Sequence, residues 1–213
     1  MAQGKLDVGE TRSLVRDATR GREAPAETTA ADPTPLGLSG YGLSIFVLGC
    51  AQAGFLPATG AVIPWAFFFG GLTLFLAGMW AFRNRNTFGA TVFTSYGALW
   101  VGLAFFNLFG SQLGVTGASA QAALGVSLFV WAIFTFYMTV GALRTTLPVF
   151  GVLLTLLIAL TLLDVGVLTN ITIWAKIGGY VAMLSGAIAW YAAAAGVIND
   201  TFGRQVLPVW PLR

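Results

Sequence analysis

Histidine is absent from this sequence, cysteine occurs once, and charged side chains make up only 9% of its 213 residues. Each shortage excludes something. Without histidine the chain lacks the side chain that most often relays protons near neutral pH and most often ligates metals. The single thiol, Cys50, cannot close an intrachain disulfide, and no Cys/His constellation with metal-ligand spacing exists. Cys50 lies inside an apolar run, where a buried structural thiol is the expected reading. The basic residues form no stripe, which argues against a nucleic-acid surface. No Cys pair, carboxylate pair or Ser/His arrangement sits inside the apolar runs, so an enzyme is not expected, nor a cofactor or a metal site.

What remains is largely apolar. Soluble domains carry about 25% charged residues; here 57% of the residues are hydrophobic instead. One soluble core of this size cannot hide so much apolar surface, whereas a bilayer takes the place of water on the outward faces. The expected fold is therefore an all-α membrane protein. Six apolar runs follow Asp32, near 36–56, 61–82, 87–110, 119–143, 147–169 and 172–198. Each approaches or exceeds the roughly 20 residues that cross a core of about 30 Å at about 1.5 Å per residue. The joining loops are short, so consecutive spans run antiparallel. The domain organisation expected is a tail over 1–31, a six-helix domain over 32–200 and a short tail over 201–213.

The first tail mixes Lys5, Arg12, Arg16, Arg20 and Arg22 with Asp7, Glu10, Asp17, Glu23 and Glu27. Its composition cannot bury enough apolar surface to offset the entropy of ordering, so disorder is expected. It lacks the apolar run of a cleaved secretory signal. Charge placement then sets the expected orientation. Arg83, Arg85, Arg144, Arg204, Arg213 and the five tail residues make ten of the eleven basic residues, all on one side; Lys176 is the exception. Basic loops stay cytoplasmic, so both termini are expected inside. Trp65, Trp80, Trp174 and Trp210 fall near the interfaces, as aromatic belts do. Thr34-Pro35 and Asn86-Thr87 read as helix starts, and Pro148 falls in a first turn.

Three segments carry a family resemblance. Asp32-Pro33-Thr34-Pro35-Leu36-Gly37-Leu38 at the entry of span one resembles the N-P-A-P-L-G-L signature of the acetate uptake transporter family, the succinate–acetate transporter proteins. Asn86-Thr87-Phe88-Gly89 through Phe93-Thr94-Ser95-Tyr96-Gly97 to Trp100 is similar to the family's N-T-F-G…F-T-S-Y-G…W run. Phe202-Gly203-Arg204-Gln205-Val206-Leu207-Pro208 resembles its F-G-R-T-V-L-P tail. The likeness runs over residues 32–208. Asp32 stands where the family has Asn, adding a negative charge at the expected cytoplasmic mouth; Thr34 replaces Ala, and Gln205 replaces Thr.

The resemblance implies uptake of acetate and of related short mono- or dicarboxylates, a homo-hexamer in the plasma (inner) membrane, and a pore within each protomer. It implies a hydrophobic constriction made by Tyr41, Tyr96 and Leu156. Tyr41 stands where Phe is usual, which points to a slightly more polar constriction. Asp32, Pro33, Pro35, Leu36 and Gly37 form the entry motif.

The residues read on their own leave alternatives open. Tyr41, Ser44, Leu48 and Gln52 share one face of span one, and a polar stripe in a membrane helix faces protein or water rather than lipid. That stripe either lines a pore or makes interhelical hydrogen bonds. In span three, Thr87, Thr91, Thr94, Ala98 and Gly102 lie on one face, while Tyr96 lies opposite with Gly89, Phe93, Trp100 and Asn107. Both faces cannot line one pore. Following the resemblance puts Tyr96 and Asn107 toward the pore and the small face against a neighbouring helix. Thr87, at the start of span three, is a natural anion site. Asp164 and Lys176, near the outer ends of spans five and six, form either an external vestibule or a hairpin clasp.

Acetate is almost wholly ionised at neutral pH and crosses bilayers poorly without a protein path. No Arg or Lys lies in the central parts of the spans, which suits weak binding and release. A channel-like path is favoured over a proton-linked carrier. The alternative is a channel for another small solute such as urea, ammonium or a short amide.

Overall fold

The computed structural model describes residues 30–57 and 59–212. The tail expected over 1–31 lies outside the described residues except for Ala30 and Ala31, and so does Arg213. Six helices are long and apolar enough to cross a membrane. They are α1 (Thr34–Ala53), α2 (Gly60–Arg83), α3 (Thr87–Phe109), α4 (Gly117–Ala142), α5 (Leu147–Thr169) and α6 (Thr172–Thr201). Among the described residues there is no strand, only an isolated bridge between Thr146 and Pro211.

Local chemistry sets the helix ends. α1 stops at Ala53, three residues before the apolar run does, because Gly54 turns left-handed at φ 93°. Its N–H then bonds the Ala51 carbonyl, which a β-carbon would resist. Thr34, expected as the cap of α1, is instead its first residue. The Asp32 carboxylate accepts from the Thr34 N–H at 2.9 Å and from its hydroxyl at 2.6 Å. Asn86 does cap α3, its Oδ1 accepting from the Gly89 N–H at 2.8 Å.

The second span departs from a regular helix. A 3₁₀ turn (Thr59–Val62) and a single α turn (Ile63–Trp65) lead into a π-helical stretch (Ala66–Thr73) before regular helix resumes (Leu74–Arg83). Widening the helix is costly and needs local compensation. Here Gly70 lies directly under the Trp100 indole, and the Ser44 hydroxyl donates to the Trp65 carbonyl at 2.9 Å where the hydrogen-bond register changes. The apolar pattern of Ala66-Phe67-Phe68-Phe69-Gly70-Gly71 reads as helix but does not reveal its pitch.

α1 packs on α6 and α2, α2 on α3, α4 on α5, and α5 on α6. The α1–α6 seam is backbone against backbone. A β-carbon on Gly49 would lie 2.6 Å from the Gly179 carbonyl oxygen, and one on Gly186 would lie 2.9 Å from the Gly42 oxygen. With no hydrophobic drive between helices in lipid, such close approach supplies the packing. α3 meets α4 mainly through rings. The Tyr96 ring centre lies 5.5 Å from Trp131, tilted, and 5.4 Å from Phe134, edge to face. After α6 the chain folds back. Leu147 N–H bonds the Trp210 carbonyl at 3.0 Å, Leu212 N–H bonds Thr145 at 2.8 Å, and the Tyr191 hydroxyl donates to Pro208 at 2.7 Å. Asn199 ties α6 to this return, accepting from the Val206 and Leu207 N–H groups and donating to the Leu207 carbonyl.

Candidate functional site: two cavities and the rings between them

Two cavities lie one above the other between the helices. The larger, about 460 Å³, opens at the end where α1, α3 and α5 begin, here called the inner end. Asp32, Asn86 and the Arg144-Thr145-Thr146 turn border it there, and Leu38, Val92, Phe93, Val149 and Leu153 form its apolar walls. Val209 of the returning C-terminal segment also faces it. The smaller cavity, about 50 Å³, lies on the other side of three residues and is lined by Leu48, Leu99, Leu103, Leu128, Trp131 and Leu160 among others. Among the described residues, Tyr41, Tyr96 and Leu156 alone line both cavities. All three are at least 96% buried, and the two tyrosine ring centres stand 6.5 Å apart.

The tyrosine hydroxyls do not serve this passage. Ser185 Oγ donates to the Val152 carbonyl at 3.0 Å, so its one hydrogen is used and the Tyr41 hydroxyl, 2.8 Å away, must donate to it. Thr135 Oγ1 likewise donates to the Trp131 carbonyl at 2.7 Å, so the Tyr96 hydroxyl donates to Thr135 at 2.7 Å. Each phenol is thereby anchored by a hydroxyl on α6 or α4. The extra oxygen of Tyr41, expected to make the passage more polar, is spent on Ser185.

The entry motif builds one wall of the inner mouth. Pro35 lines the cavity and presses on Gly196, Gly37 lies against the Phe93 ring, and Pro33 is buried, while Leu36 is half exposed. The face of α3 carrying Gly89, Phe93 and Tyr96 meets the inner cavity. Thr94 on the other side meets Gly78 of α2. The other expected pathway residues lie elsewhere. Ser44 is fully buried and serves the Trp65 carbonyl. Gln52 lines neither cavity. Asn107, expected to share the Tyr96 face, does so in helical phase but lies about three turns further along α3, beyond the cavity-lining Leu103, where it is exposed and donates to the Leu103 carbonyl. Thr87 is exposed beside the mouth, and its neighbour Asn86 takes the lining position.

Asp164 and Lys176 are not joined. Asp164 is 9% exposed, and its Oδ1 has no hydrogen-bond partner; Lys176 is exposed, and no ion pair links the two. Neither lines a cavity. Gly125 of α4 is the close neighbour of Asp164, a β-carbon there falling 3.6 Å from Oδ1. Among the described residues no group of three or more acidic, cysteine or histidine side chains is placed to hold a metal.

Sequence reasoning missed the anchors Thr135 and Ser185, though a hydroxyl in the middle of a span is itself a signal. It also used Arg144 for orientation alone. Nothing in the linear pattern announces that Arg144 shares a cavity wall with Asp32.

The comparisons with known proteins follow the same architecture. The model of the GPR1/FUN34/yaaH family matches residues 17–213. The succinate-acetate/proton symporter SatP of Escherichia coli K12 is 35% identical over 182 residues, covering 85% of this chain and 96% of that protein. Acetate permease A of Emericella nidulans is 36% identical over 198 residues, covering 84% of this chain and 65% of that protein. The solved structure of the bacterial acetate channel SatP superposes with a TM-score of 0.79 at 34% identity, over 84% of this chain and 99% of that one. With six helices long and apolar enough to cross a membrane and matches spanning most of its length, the chain belongs to the GPR1/FUN34/yaaH family.

Proposed function

We propose that this multi-pass membrane protein carries acetate across the membrane along the axis joining the two cavities. Acetate passage is what its relatives SatP and acetate permease A are named for. The observation that carries the pathway is the sharing of Tyr41, Tyr96 and Leu156 by an inner and an outer cavity. Acetate enters the inner cavity, slips between the two rings and Leu156, and crosses the apolar outer cavity. No cation lines either cavity beyond the mouth, so nothing holds the anion long enough to slow its release. Passage is channel-like, down the gradient.

Further features belong to the same reading. The inner end faces the cytoplasm, with both termini inside, and the membrane is the plasma membrane. The protomer forms a homo-hexamer, each copy with its own path, surrounded by lipid. Mass photometry of the detergent-solubilised protein checks the assembly, and a monomer or dimer rules the hexamer out.

Labelled acetate uptake into proteoliposomes, with and without a pH gradient, tests the function. Selective flux absent from empty liposomes is expected, largely independent of the pH gradient. Flux that requires the gradient would replace the channel with a proton-linked step. No acetate flux from well-folded protein would overturn the reading and turn attention to urea and ammonium.

A further inference from the structure

We infer that Asp32 and Arg144 together set the charge of the anion admitted at the inner mouth, favouring one carboxylate over two. The inference rests on the proposed acetate pathway. Of the residues lining the inner cavity, Asp32 and Arg144 alone carry a formal charge. They come from opposite parts of the chain, the entry of α1 and the α4–α5 turn. No ion pair joins them among the described residues, so the two charges at the rim do not cancel in a contact.

Both are held by their surroundings. The Asp32 carboxylate accepts twice from Thr34 through Oδ1. The Arg144 backbone sits in a turn closed by Arg144 N–H to Gly141 at 3.2 Å and Thr145 N–H to Ala142 at 2.9 Å. The C-terminal return braces that turn through Leu212 N–H to the Thr145 carbonyl and Leu147 N–H to Trp210. Both residues are exposed, so their charges act from the solvent-facing rim of the mouth on braced backbones.

Size does not select here. A cavity of about 460 Å³ holds acetate or a four-carbon dicarboxylate with room to spare. Charge does. A guanidinium offers a planar fork of donors to one carboxylate, and one monoanion neutralises it. The second carboxylate of a dianion finds no second cation. It meets apolar walls formed by Leu38, Val149 and Leu153 and the repulsion of Asp32. Burying an unpaired carboxylate against such walls is costly, and repulsion from Asp32 at the exposed rim, screened by salt, adds to the cost. For acetate the Arg144 and Asp32 charges nearly offset, so entry is only mildly affected.

The test is flux of labelled acetate and labelled succinate through the full-length protein in proteoliposomes at pH 7, where succinate is a dianion. Wild type is compared with Asp32→Asn, Arg144→Gln and Arg144→Lys. Asparagine keeps an oxygen for Thr34, and monodisperse elution checks each fold. Asp32→Asn is expected to raise the succinate-to-acetate flux ratio about tenfold, with acetate itself changing less than about threefold. Arg144→Gln is expected to lower both fluxes, succinate more, and Arg144→Lys to restore most of the acetate flux. Raising salt from about 0.01 M to about 1 M should shrink the differences between variants, because the Debye length falls from about 30 Å to about 3 Å. An unchanged ratio in Asp32→Asn with acetate flux intact overturns the inference and leaves the pathway standing. Absent acetate flux in the wild type overturns the pathway and the inference with it.

Discussion

The inner and outer cavities are built from different materials. The inner one is about 460 Å³, rimmed by loop residues with polar and charged groups, and apolar only deeper in. The outer one is about 50 Å³ and walled by leucines, with Trp131 and the two tyrosine rings beside them. The inner space can keep an anion hydrated, and the outer one strips its water. The difference teaches where the barrier lies. On the proposed pathway it starts at Tyr41, Tyr96 and Leu156 and continues through the leucine-lined space beyond, with the inferred charge selection placed before it at the mouth.

The largest test removes the boundary. Tyr96→Ala should merge the cavities and raise acetate flux about tenfold, equivalent to about 1.4 kcal/mol of barrier, read in proteoliposomes. A flux equal to wild type from folded protein would mean that the two cavities are not in series. A milder test changes the outer wall alone. Leu103→Asn supplies donors where the anion is least solvated and should raise acetate flux about threefold, whereas Val149→Asn in the roomier inner cavity should change it less than twofold. Equal effects at both positions would erase the distinction between the cavities.

The hydroxyl anchors give subtler predictions. Ser185→Ala leaves the buried Tyr41 hydroxyl without its acceptor and should cost about 1–3 kcal/mol, seen as a lower unfolding temperature in detergent. Tyr41→Phe leaves Ser185 still bonded to Val152, so it should cost about 1 kcal/mol or less and leave acetate flux within twofold of wild type. If Tyr41→Phe alters flux as strongly as Tyr96→Ala, the hydroxyl faces the pathway after all. Away from both cavities, Asp164→Leu removes an unpartnered buried oxygen and should raise the unfolding temperature at unchanged flux. A loss of flux in that variant would bring Asp164 onto the pathway.

Much of this was legible along the chain. Six apolar runs of membrane length, their short connections and the Asn86 cap depend on neighbours a few residues apart, and such features survive reading in one dimension. The family resemblance singled out Tyr41 and Tyr96 by motif and Leu156 by spacing before any distance was known. Helical phase alone left two readings open at Ser44, which makes the interhelical bond, and did not place Asn107 at a cavity. A polar stripe identifies a face that avoids lipid, but it does not say whether water, a carbonyl or another helix lies opposite. Asp164 and Lys176 failed for a related reason: closeness in a hairpin does not orient two side chains toward each other.

By itself, then, the sequence determined the membrane solvent and the helix count, because lipid demands continuous apolar helices with satisfied backbones. Tertiary packing alone decided the pitch of α2, where Gly70 under Trp100 and Ser44 at Trp65 stabilise a wider helix. It also decided where the phenol protons go, since Ser185 and Thr135 are 144 and 39 residues from their tyrosines. And it alone set Arg144 across one cavity from Asp32, a juxtaposition made by helices meeting in space, which no local pattern encodes.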